Sequence, residues 1–600
     1  MNTDYIRLIA CAALLLLADP AGAGDAVEAG DLVVQGTTLR SIALRWDIAG
    51  DDNRNSEVTV SYRRQGEINW QPGLAMLRIG GEDTGTETYM NDYEMPSQFA
   101  GSILGLSRGA TYEIRVVLED EDGGNRNMVM EATTRDVPVA AANSSVLHLY
   151  PKDEFGVKNE PNFDTLGSAI SAAFPGDTVL VYGGTYQGSY VVQNRGEPGK
   201  PIKIQGVGDK EAVFVGDRWN SLIDIHNAAY LWFEGLTFRD PGTHDGHHTG
   251  NGVVIQAGNR KRSIESTCVG LTVRYCKFED FGTAIMASDA NCRDFTITDN
   301  SFYGRQNWLA PLENKAFNYL RYSGSAVTIS GSSHDIGYNY IENVRTGIRV
   351  TNGRDGRGFR KGQENMAIDI YGNEITQVGR DFVDVSEGDQ NIIIRDNRCV
   401  NSGRAGFTIG PVYGGPIYVI SNVLYNVMRL LPMHLTRNAT GIEAYHNTFV
   451  TGGWANGEPF SNSHFRNNIF VGRPNLATHT SYTSFDYNAW KEGTVTYGEP
   501  SNEGVTEFAS LAEFTASTGM EANGRMIEYS DFEKLKRPLL KLRTYDPSEI
   551  NFHLQIESAV EDAAVVITGL PRQLPIGNGP DMGAWELGQD RPHYGPRPPE

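Results

Sequence analysis

A short strand–turn–strand unit recurs along the second half of the chain. Its copies read RYCKF, TDNSF, GYNYI, YGNEI, RDNRC, ISNVL, YHNTF, RNNIF and DYNAW. Their central residues are Cys276, Asn300, Asn339, Asn373, Asn397, Asn422, Asn447, Asn468 and Asn488, at intervals of 24, 39, 34, 24, 25, 25, 21 and 20 residues. A coil of a parallel β-helix has about that length, and stacked coils let buried asparagines form a ladder of amide hydrogen bonds. The spacing therefore predicts a parallel β-helix with loops inserted in the two long intervals.

The ladder also predicts which strands are neighbours. Each asparagine marks the turn between the second and third strands of a coil, so the strand about ten residues later is the first strand of the next coil. These first strands are 252–256, 283–288, 325–330, 346–351, 381–386 and 405–410. Alternation turns Val383 and Val385 inward and Asp384 outward. Since stacked strands lie about 4.8 Å apart, we expect Arg349 beside Asp384, with His434 outward two coils later.

Four carboxylates crowd one first strand and the turn after it. They are Asp381, Asp384, Glu387 and Asp389. Like charges this close cost stability unless a cation or water takes up the charge, and closely spaced oxygen ligands suit Ca²⁺. The alternative is an exposed turn in which Asp384 and Arg349 form a surface ion pair of little energetic worth.

Three inserted loops, 239–251, 304–324 and 352–365, are expected on the same side as the first strands. They carry the basic residues Lys315, Arg321, Arg357 and Lys361 in an otherwise acidic protein. Long loops on a rigid scaffold often hold functional residues. These cations are candidates for binding or deprotonating a uronic acid, and the alternative is solvated loop charge.

Residues 28–137 have a different pattern, with alternating strands such as TLRSIALRW and SEVTVSYRR. An early Trp46 and a late Tyr112 in LGLSRGATYEIRVV fit the core tryptophan and corner tyrosine of a β-sandwich. This segment resembles a fibronectin type III domain, a module that binds or spaces. The stretch 138–146, PVAAANSSV, is expected to be a linker.

The first 23 residues predict a secretory signal peptide. Arg7 precedes an apolar run, and Ala21-Gly22-Ala23 is a small-residue cleavage pattern. No other segment is apolar and long enough to span a bilayer. We therefore expect a secreted or periplasmic protein in which disulfides are permitted.

The net charge of −22 argues against a nucleic-acid partner, because phosphate binding needs a basic footprint. The predicted partner is a polysaccharide, and the chain is expected to be a monomer without a membrane span.

An amphipathic helix at 165–173 followed by DTVLVYGGTY opens the second domain, 147–588. Together with the asparagine repeat it resembles the secreted right-handed parallel β-helix proteins of the pectate-lyase-like group. The resemblance implies an all-β chain: a sandwich, then a right-handed parallel β-helix with an N-terminal capping helix. It also implies a polysaccharide groove on the first-strand face, where acids hold Ca²⁺ and a Lys or Arg acts as base or neutralises the sugar carboxylate. The Pro-rich residues 589–600 are predicted to be disordered.

These observations leave three classes of function open. The first is a polysaccharide lyase or epimerase acting on uronic acids, for which the candidate catalytic residues are Asp384, Glu387, Arg349 and Lys361. The candidate substrate-binding residues are Lys315, Arg321, Arg357 and His434, and the candidate Ca²⁺ ligands are Asp381, Asp384, Glu387 and Asp389. The second class is a glycoside hydrolase using Asp384 and Glu387. The third is a non-catalytic carbohydrate-binding protein, because fold does not determine function.

Cysteine spacing predicts one disulfide. Cys268 and Cys292 lie at the same position of consecutive coils, so their α-carbons should be about 4.8 Å apart. An unbonded neighbouring pair is the alternative. Cys276 and Cys399 are expected to be buried free thiols.

Overall fold

The structure is a computed structural model that describes most of the chain. The described residues are 24–82, 95–142, 144–216, 221–239, 253–258, 268–287, 289–305, 324–351, 365–428, 431–437, 439–455, 460–477, 482–498, 506–539, 543–571 and 575–599.

The N-terminal part is an antiparallel sandwich. Its strands are β1 (Val27–Thr37), β2 (Ile42–Gly50), β3 (Glu57–Arg64), β4 (Gln71–Pro72), β5 (Leu77–Ile79), β6 (Gln98–Ile103), β7 (Thr111–Glu119) and β8 (Arg126–Thr133). One sheet has the order β1-β2-β6-β5 and the other β4-β3-β7-β8. Trp46 and Tyr112 lie in the core that the two sheets share. The Tyr112 hydroxyl also accepts a hydrogen bond from the Ser107 amide at 2.9 Å, as a corner tyrosine does.

The rest of the chain winds into stacked parallel coils. The strands of the first coils are β9 (Val146–Leu149), β10 (Asn162–Phe163), β11 (Thr178–Gln187), β12 (Tyr190–Val192), β13 (Ile202–Val215), β14 (Ile223–Ile225), β15 (Leu231–Glu234), β16 (Thr237–Arg239), β17 (Val253–Ala257), β18 (Thr272–Arg274), β19 (Lys277–Glu279), β20 (Thr283–Ala287), β21 (Thr296–Thr298), β22 (Ser301–Tyr303), β23 (Ser325–Ile329), β24 (Ser332–Gly337) and β25 (Tyr340–Val350).

The later coils follow in the same order. Their strands are β26 (Met366–Tyr371), β27 (Glu374–Val385), β28 (Gln390–Arg395), β29 (Arg398–Ser402), β30 (Ala405–Ile409), β31 (Ile417–Ile420), β32 (Val423–Val427), β33 (Leu431–Leu435), β34 (Ala439–Thr440), β35 (Ile442–Tyr445), β36 (Thr448–Ala455), β37 (Phe460–Ser461), β38 (His464–Arg466), β39 (Ile469–Ala477), β40 (Ser484–Asp486), β41 (Ala489–Trp490), β42 (Val495–Gly498), β43 (Thr506–Phe508) and β44 (Arg525–Met526).

Parallel pairing arranges these strands into three sheets around one apolar core. The first sheet contains β12, β14, β17, β20, β23, the ends of β25 and β27, β30 and β33. The second sheet runs through β15, β18, β21, β24, β26, β28, β31, β35, β38 and β40. The third runs through β16, β19, β22, the starts of β25 and β27, β29, β32, β36, β39 and β41. The predicted all-β fold, a sandwich followed by a parallel β-helix, is confirmed.

The asparagine ladder has the predicted position and is fully buried. From Asn300 to Asn468, each residue donates its backbone N–H and its Nδ2–H to the Oδ1 of the next asparagine, over 2.8 to 3.1 Å. Asn488 donates instead to the Glu521 carboxylate, at 3.1 and 2.9 Å. The ladder thus satisfies two buried donors per coil and ends on an acid.

The residue before each ladder position makes the bend between the second and third sheets. At Asp299, Tyr338, Gly372 and Asp396, for example, φ lies between 53° and 63°. That left-handed conformation turns the chain within one residue and delivers the following asparagine side chain into the core.

Helix α1 (Leu166–Ala172) covers the first coil, as predicted. Thr165 caps it by accepting from the Ser168 amide, and Leu166 and Ile170 are buried in the β-helix core. A second helix, α2 (Leu511–Thr518), buries Phe514 in the same core near the last coils. No helix in the described part of the chain is long and apolar enough to cross a membrane.

The prediction that the C-terminal residues are disordered is wrong for 589–599. Tyr594 is buried, and its hydroxyl accepts a hydrogen bond from Trp585 Nε1 at 2.8 Å. The Arg597 guanidinium donates to both Asp299 carboxylate oxygens, at 2.8 and 2.7 Å. Proline content alone suggested disorder, but these aromatic and ionic contacts tie the segment to the β-helix.

The sandwich packs on the outer face of the second sheet through buried carboxylates. Asp369 accepts from the Thr38 and Ser41 hydroxyls at 2.8 and 2.9 Å. Asp335 accepts from Arg135 Nη2 at 2.7 Å and from the Leu39 amide at 3.1 Å. Both acids are wholly buried, so separating the two domains would break a satisfied polar network.

Buried acids make stability depend on pH. Burial raises the pKa of Asp369 to about 7, that of Glu443 to about 8 and that of Glu521 to about 7. The folded protein therefore holds protons that the unfolded chain has already lost, and the associated stability is lost as the pH rises through these values. Burial lowers the pKa of His334 to about 3 and that of His464 to about 4, so both histidines stay neutral in the folded state across this range. We expect the free energy of unfolding to fall by on the order of 2 kcal/mol between about pH 7 and about pH 9.

Urea unfolding at several pH values across that range would measure this dependence. Glu443→Gln should flatten it, because Glu443 has the highest of the three raised carboxyl pKa values. A free energy of unfolding that stays constant or rises with pH would contradict the prediction.

Candidate functional site

The outward positions of the first sheet form one straight column. Arg349 on β25 is paired with Asp384 on β27, Asp384 with Thr408 on β30, and Thr408 with His434 on β33. Val383 lies in the core. The predicted register, with Arg349 and Asp384 as direct neighbours, is therefore confirmed.

Asp384 is enclosed although it belongs to the outer column. Its side chain is only 4% exposed, and Oδ2 lies 3.6 Å from Arg349 Nε. Oδ1 accepts a hydrogen bond from the Ser386 hydroxyl. A carboxylate held by one hydroxyl and one more distant guanidinium keeps oxygen lone pairs for a further partner.

Asp381 is held by two arginines. It is wholly buried at the start of the same first strand, and Oδ1 accepts from Arg404 Nε at 3.0 Å. Arg380 Nε lies 3.1 Å from Oδ2. Burial raises the pKa of Asp381 to about 6 although both arginines oppose the rise, so the carboxylate is ionised at neutral pH. Asp381 thus orients two guanidinium groups towards the outer face.

Arg404 connects three coils. Besides Asp381, it donates from Nη2 to the Thr408 hydroxyl at 2.7 Å, and Nη2 lies 3.1 Å from His434 Nδ1. A guanidinium can only donate, so Nδ1 is the acceptor and the ring of a neutral His434 carries its proton on Nε2. His434 therefore has a hydrogen-bond donor at its other ring nitrogen.

Arg404 and Arg380 were not predicted as site residues. Arginine recurs immediately before successive first strands, at Arg345, Arg380 and Arg404. Its intervals of 35 and 24 residues follow those of the ladder asparagines, which are 34 and 24. That repeat predicts a column of guanidinium groups beside the first sheet.

The other two acids of the cluster, Glu387 and Asp389, follow the strand in the turn. Glu387 is 4% exposed, has φ 70°, and accepts from the Thr351 hydroxyl at 3.2 Å. The amide of Asp389 donates to the Asn365 carbonyl at 3.1 Å, which fixes the turn. Both acids are buried within the turn.

The predicted Ca²⁺ ligand set does not come together. Within the described ranges, no three His, Cys, Asp or Glu side chains are grouped so that they could hold a metal ion. Two guanidinium groups take the place of a cation at Asp381. Ca²⁺ binding stays a prediction, and no chemical step is assigned to it.

Several predicted site residues lie outside the described residues. They are Lys315, Arg321, Arg357 and Lys361, together with most of the three inserted loops. Their roles therefore stay predictions.

The predicted Cys268–Cys292 disulfide is absent, and both residues are buried free thiols. Pairing of Val269 with Arg293 places the two cysteines side by side in consecutive coils, as expected. The hydrogen bond with the Cys292 thiol lowers the pKa of Cys268, and Cys268 Sγ also lies 3.6 Å from the Ile225 carbonyl oxygen. Stacked parallel neighbours project their side chains in the same direction, whereas a disulfide needs them to turn towards each other. Cys276 and Cys399 are buried free thiols, as predicted.

Comparison with known proteins gives little information about the function of this chain. No protein-family model and no curated protein matches the chain. Among solved structures, the catalytic unit of a thermostable GH87 α-1,3-glucanase from Streptomyces thermodiastaticus matches with a TM-score of 0.34 and 12% sequence identity, covering 80% of this chain and 95% of that one. Similarity at this level does not indicate a shared activity. The function is therefore inferred from the geometry of the site.

Proposed function

We propose that this chain is an exported carbohydrate-active enzyme that binds a uronic-acid polysaccharide on the outer face of the first sheet and cleaves it by β-elimination. The observation that supports the proposal is the column of Arg349, Asp384, Thr408 and His434, flanked by Arg380 and Arg404. It combines partly exposed guanidinium groups with a carboxylate in a protein whose net charge is −22.

The arginines supply the recognition of acidic sugars. The side chains of Arg349, Arg380 and Arg404 are 34%, 32% and 20% exposed. A planar guanidinium pairs well with a carboxylate, and three of them on a rigid sheet could bind the carboxylates of successive uronic-acid residues. These three arginines form a small cationic patch on an otherwise acidic protein. Such a patch favours an anionic ligand over a neutral one.

Asp384 is the proposed base. In the elimination it would take the proton from the carbon next to the sugar carboxylate, while Arg349 neutralises that carboxylate and so makes the proton more acidic. The electrons of the broken C–H bond form a carbon–carbon double bond as the C4–O bond breaks, and the leaving oxygen takes a proton from water. The Nε2–H of His434 would hold a sugar oxygen in place.

A polysaccharide panel tests the proposal. Purified protein is incubated with uronic-acid polymers (polygalacturonate, alginate and glucuronan) and with neutral polymers (α-1,3-glucan, arabinan and mannan). Ultraviolet absorbance reports the unsaturated product of elimination, and a reducing-end assay reports every cleavage. We expect both signals on at least one uronic-acid polymer and neither on the neutral ones.

Two other results would replace the proposed activity. Reducing ends without ultraviolet absorbance would indicate hydrolysis by paired carboxylates. Retardation in a gel containing the polymer, without either product signal, would indicate a binding protein.

We further propose that the sandwich is a fibronectin type III-like module. The division of its strands between two four-stranded sheets and the hydrogen bond from the Ser107 amide to the Tyr112 hydroxyl support this assignment.

A further inference from the structure

The turn that follows Asp384 is short. It consists of Ser386–Asp389, between the end of β27 at Val385 and the start of β28 at Gln390. The Ser386 hydroxyl donates a hydrogen bond to Asp384 Oδ1. A change in the path of the turn would therefore move a hydrogen-bond partner of Asp384. The contacts that hold the far end of the turn thus bear on the geometry around this carboxylate.

The sandwich holds that far end through Asn391, the second residue of β28. Asn391 is wholly buried, so its side-chain amide needs partners within the protein. Its Nδ2 donates to Gln35 Oε1 at 2.7 Å and to the Leu44 carbonyl at 3.3 Å. Its Oδ1 accepts from the Ser102 hydroxyl at 2.9 Å. One side chain of the β-helix is therefore bonded to three strands of the sandwich, β1, β2 and β6.

Gln35 holds both of the first two residues of β28. Besides accepting from Asn391, it donates from Nε2 to Gln390 Oε1 at 2.6 Å. The backbone of Asn391 has φ 56°, a left-handed conformation that few residues other than glycine and asparagine adopt readily. A backbone of this kind persists where its surroundings hold it. The sandwich therefore stabilises the chain at the point where it leaves the turn.

Neighbouring coils hold the backbone within the turn itself. The Glu387 carbonyl accepts from Asn365 Nδ2 at 2.8 Å, and the Asp389 carbonyl accepts from the Gly415 amide at 2.9 Å. These bonds come from the β-helix, whereas the bonds to the first two side chains of β28 come from the sandwich. The turn thus has two supports, and the second one belongs to a different domain.

We propose that the sandwich supports the site from within the chain, with Gln35 as a positioning residue for Asp384. This inference rests on the proposed elimination, because Asp384 is the base in that reaction. Gln35 and Asn391 keep the turn in the path that brings Ser386 to Asp384, so the base meets the sugar carbon in the productive geometry. The sandwich then contributes to the rate through the turn rather than through a contact with the polymer.

Gln35→Ala in the full protein tests this role. The variant removes the donor to Gln390 and the acceptor for Asn391, and it changes no residue of the β-helix. We expect kcat on a uronic-acid polymer to fall about three- to tenfold, with KM changed by less than about twofold, because the arginines that bind the polymer stay in place. Ultraviolet absorbance measures the rates. Hydrogen exchange followed by mass spectrometry should show faster exchange at 386–391.

Ser41→Ala is the matched control. Ser41 belongs to the same sandwich and donates at 2.9 Å to Asp369, which lies on β26 rather than beside the turn. This variant also removes an interdomain hydrogen bond, but it should leave kcat and the exchange at 386–391 at the wild-type values.

Gln35→Glu should restore most of the lost rate. The carboxylate accepts from Asn391, and it also accepts from Gln390 once the amide of Gln390 turns over. Recovery by a side chain of the same shape would tie the effect to these two hydrogen bonds.

The outcomes separate this inference from the proposed activity. A wild-type protein that cleaves no uronic-acid polymer removes the elimination, and faster exchange at 386–391 in Gln35→Ala alone would still support the role of the sandwich in holding the turn. Unchanged exchange at 386–391 in Gln35→Ala would overturn the inference. So would an active wild type whose kcat is the same in Gln35→Ala, or falls equally in Ser41→Ala.

Discussion

Replacing Asp384 with asparagine should lower the rate of cleavage of a uronic-acid polymer by about 10²- to 10⁴-fold, which is the range for loss of a positioned base. Asparagine has nearly the same shape and can still contact the Ser386 hydroxyl, so the first sheet should keep its register. Asparagine cannot accept the proton. Because it is uncharged, it also no longer attracts the Arg349 guanidinium. The measurement is the initial rate of ultraviolet absorbance increase, with the melting temperature recorded for each variant.

Asp224→Asn is the matched control for that experiment. Asp224 belongs to the same outer column, on β14, and is several coils away from Asp384. It should keep the wild-type rate. If Asp384→Asn kept that rate too, Asp384 would not be the base, and its contact with Arg349 would be a surface ion pair without catalytic consequence.

The second large effect concerns stability. Asn397→Ala should reduce the free energy of unfolding by on the order of 4 kcal/mol. It removes the Oδ1 that accepts from the Asn373 N–H and Nδ2–H at 3.0 and 2.9 Å. It also removes the Nδ2 that donates to the Ile370 carbonyl and to Asn422 Oδ1. Buried donors and acceptors are then left unsatisfied in a core that water does not reach.

Denaturant unfolding of wild type and variant measures this loss. Asn159→Ala serves as the control, since Asn159 is exposed and its removal should change the free energy of unfolding by less than about 0.5 kcal/mol. A change of similar size in both variants would mean that the ladder adds no stability beyond that of ordinary surface amides.

The fold could be predicted because its cause is local and repeated. An asparagine at each coil's bend is visible in the sequence, and its interval equals the length of one coil. The same repeat gave the register of Arg349 and Asp384, since alternation within a strand leaves only one outward position between Val383 and Val385. The capping helix followed from its apolar positions, Leu166 and Ile170.

The parts that could not be predicted depend on side chains far apart in the sequence. Nothing near Asp335 or Asp369 indicates that Thr38, Ser41 and Arg135 will cover them. The four clustered acids suggested one ligand set, yet among the described residues they are not grouped so that they could hold a metal ion. Only the three-dimensional placement shows that Arg380 and Arg404 lie against the Asp381 carboxylate.

The ladder that ends on Glu521 gives the β-helix a polarity along its axis. Every amide in it donates in the same direction, so the aligned dipoles add up, as they do along an α-helix. Glu521 places a carboxylate at the end where donors would otherwise be unpaired, and at the opposite end the Cys276 amide donates to Asn300 Oδ1. Glu521 accepts from Asn488 and passes on no amide donor, so the array ends there. Between the two ends, each asparagine accepts from and donates to identical groups, so the protein can change in length during evolution by gaining or losing whole coils from its interior.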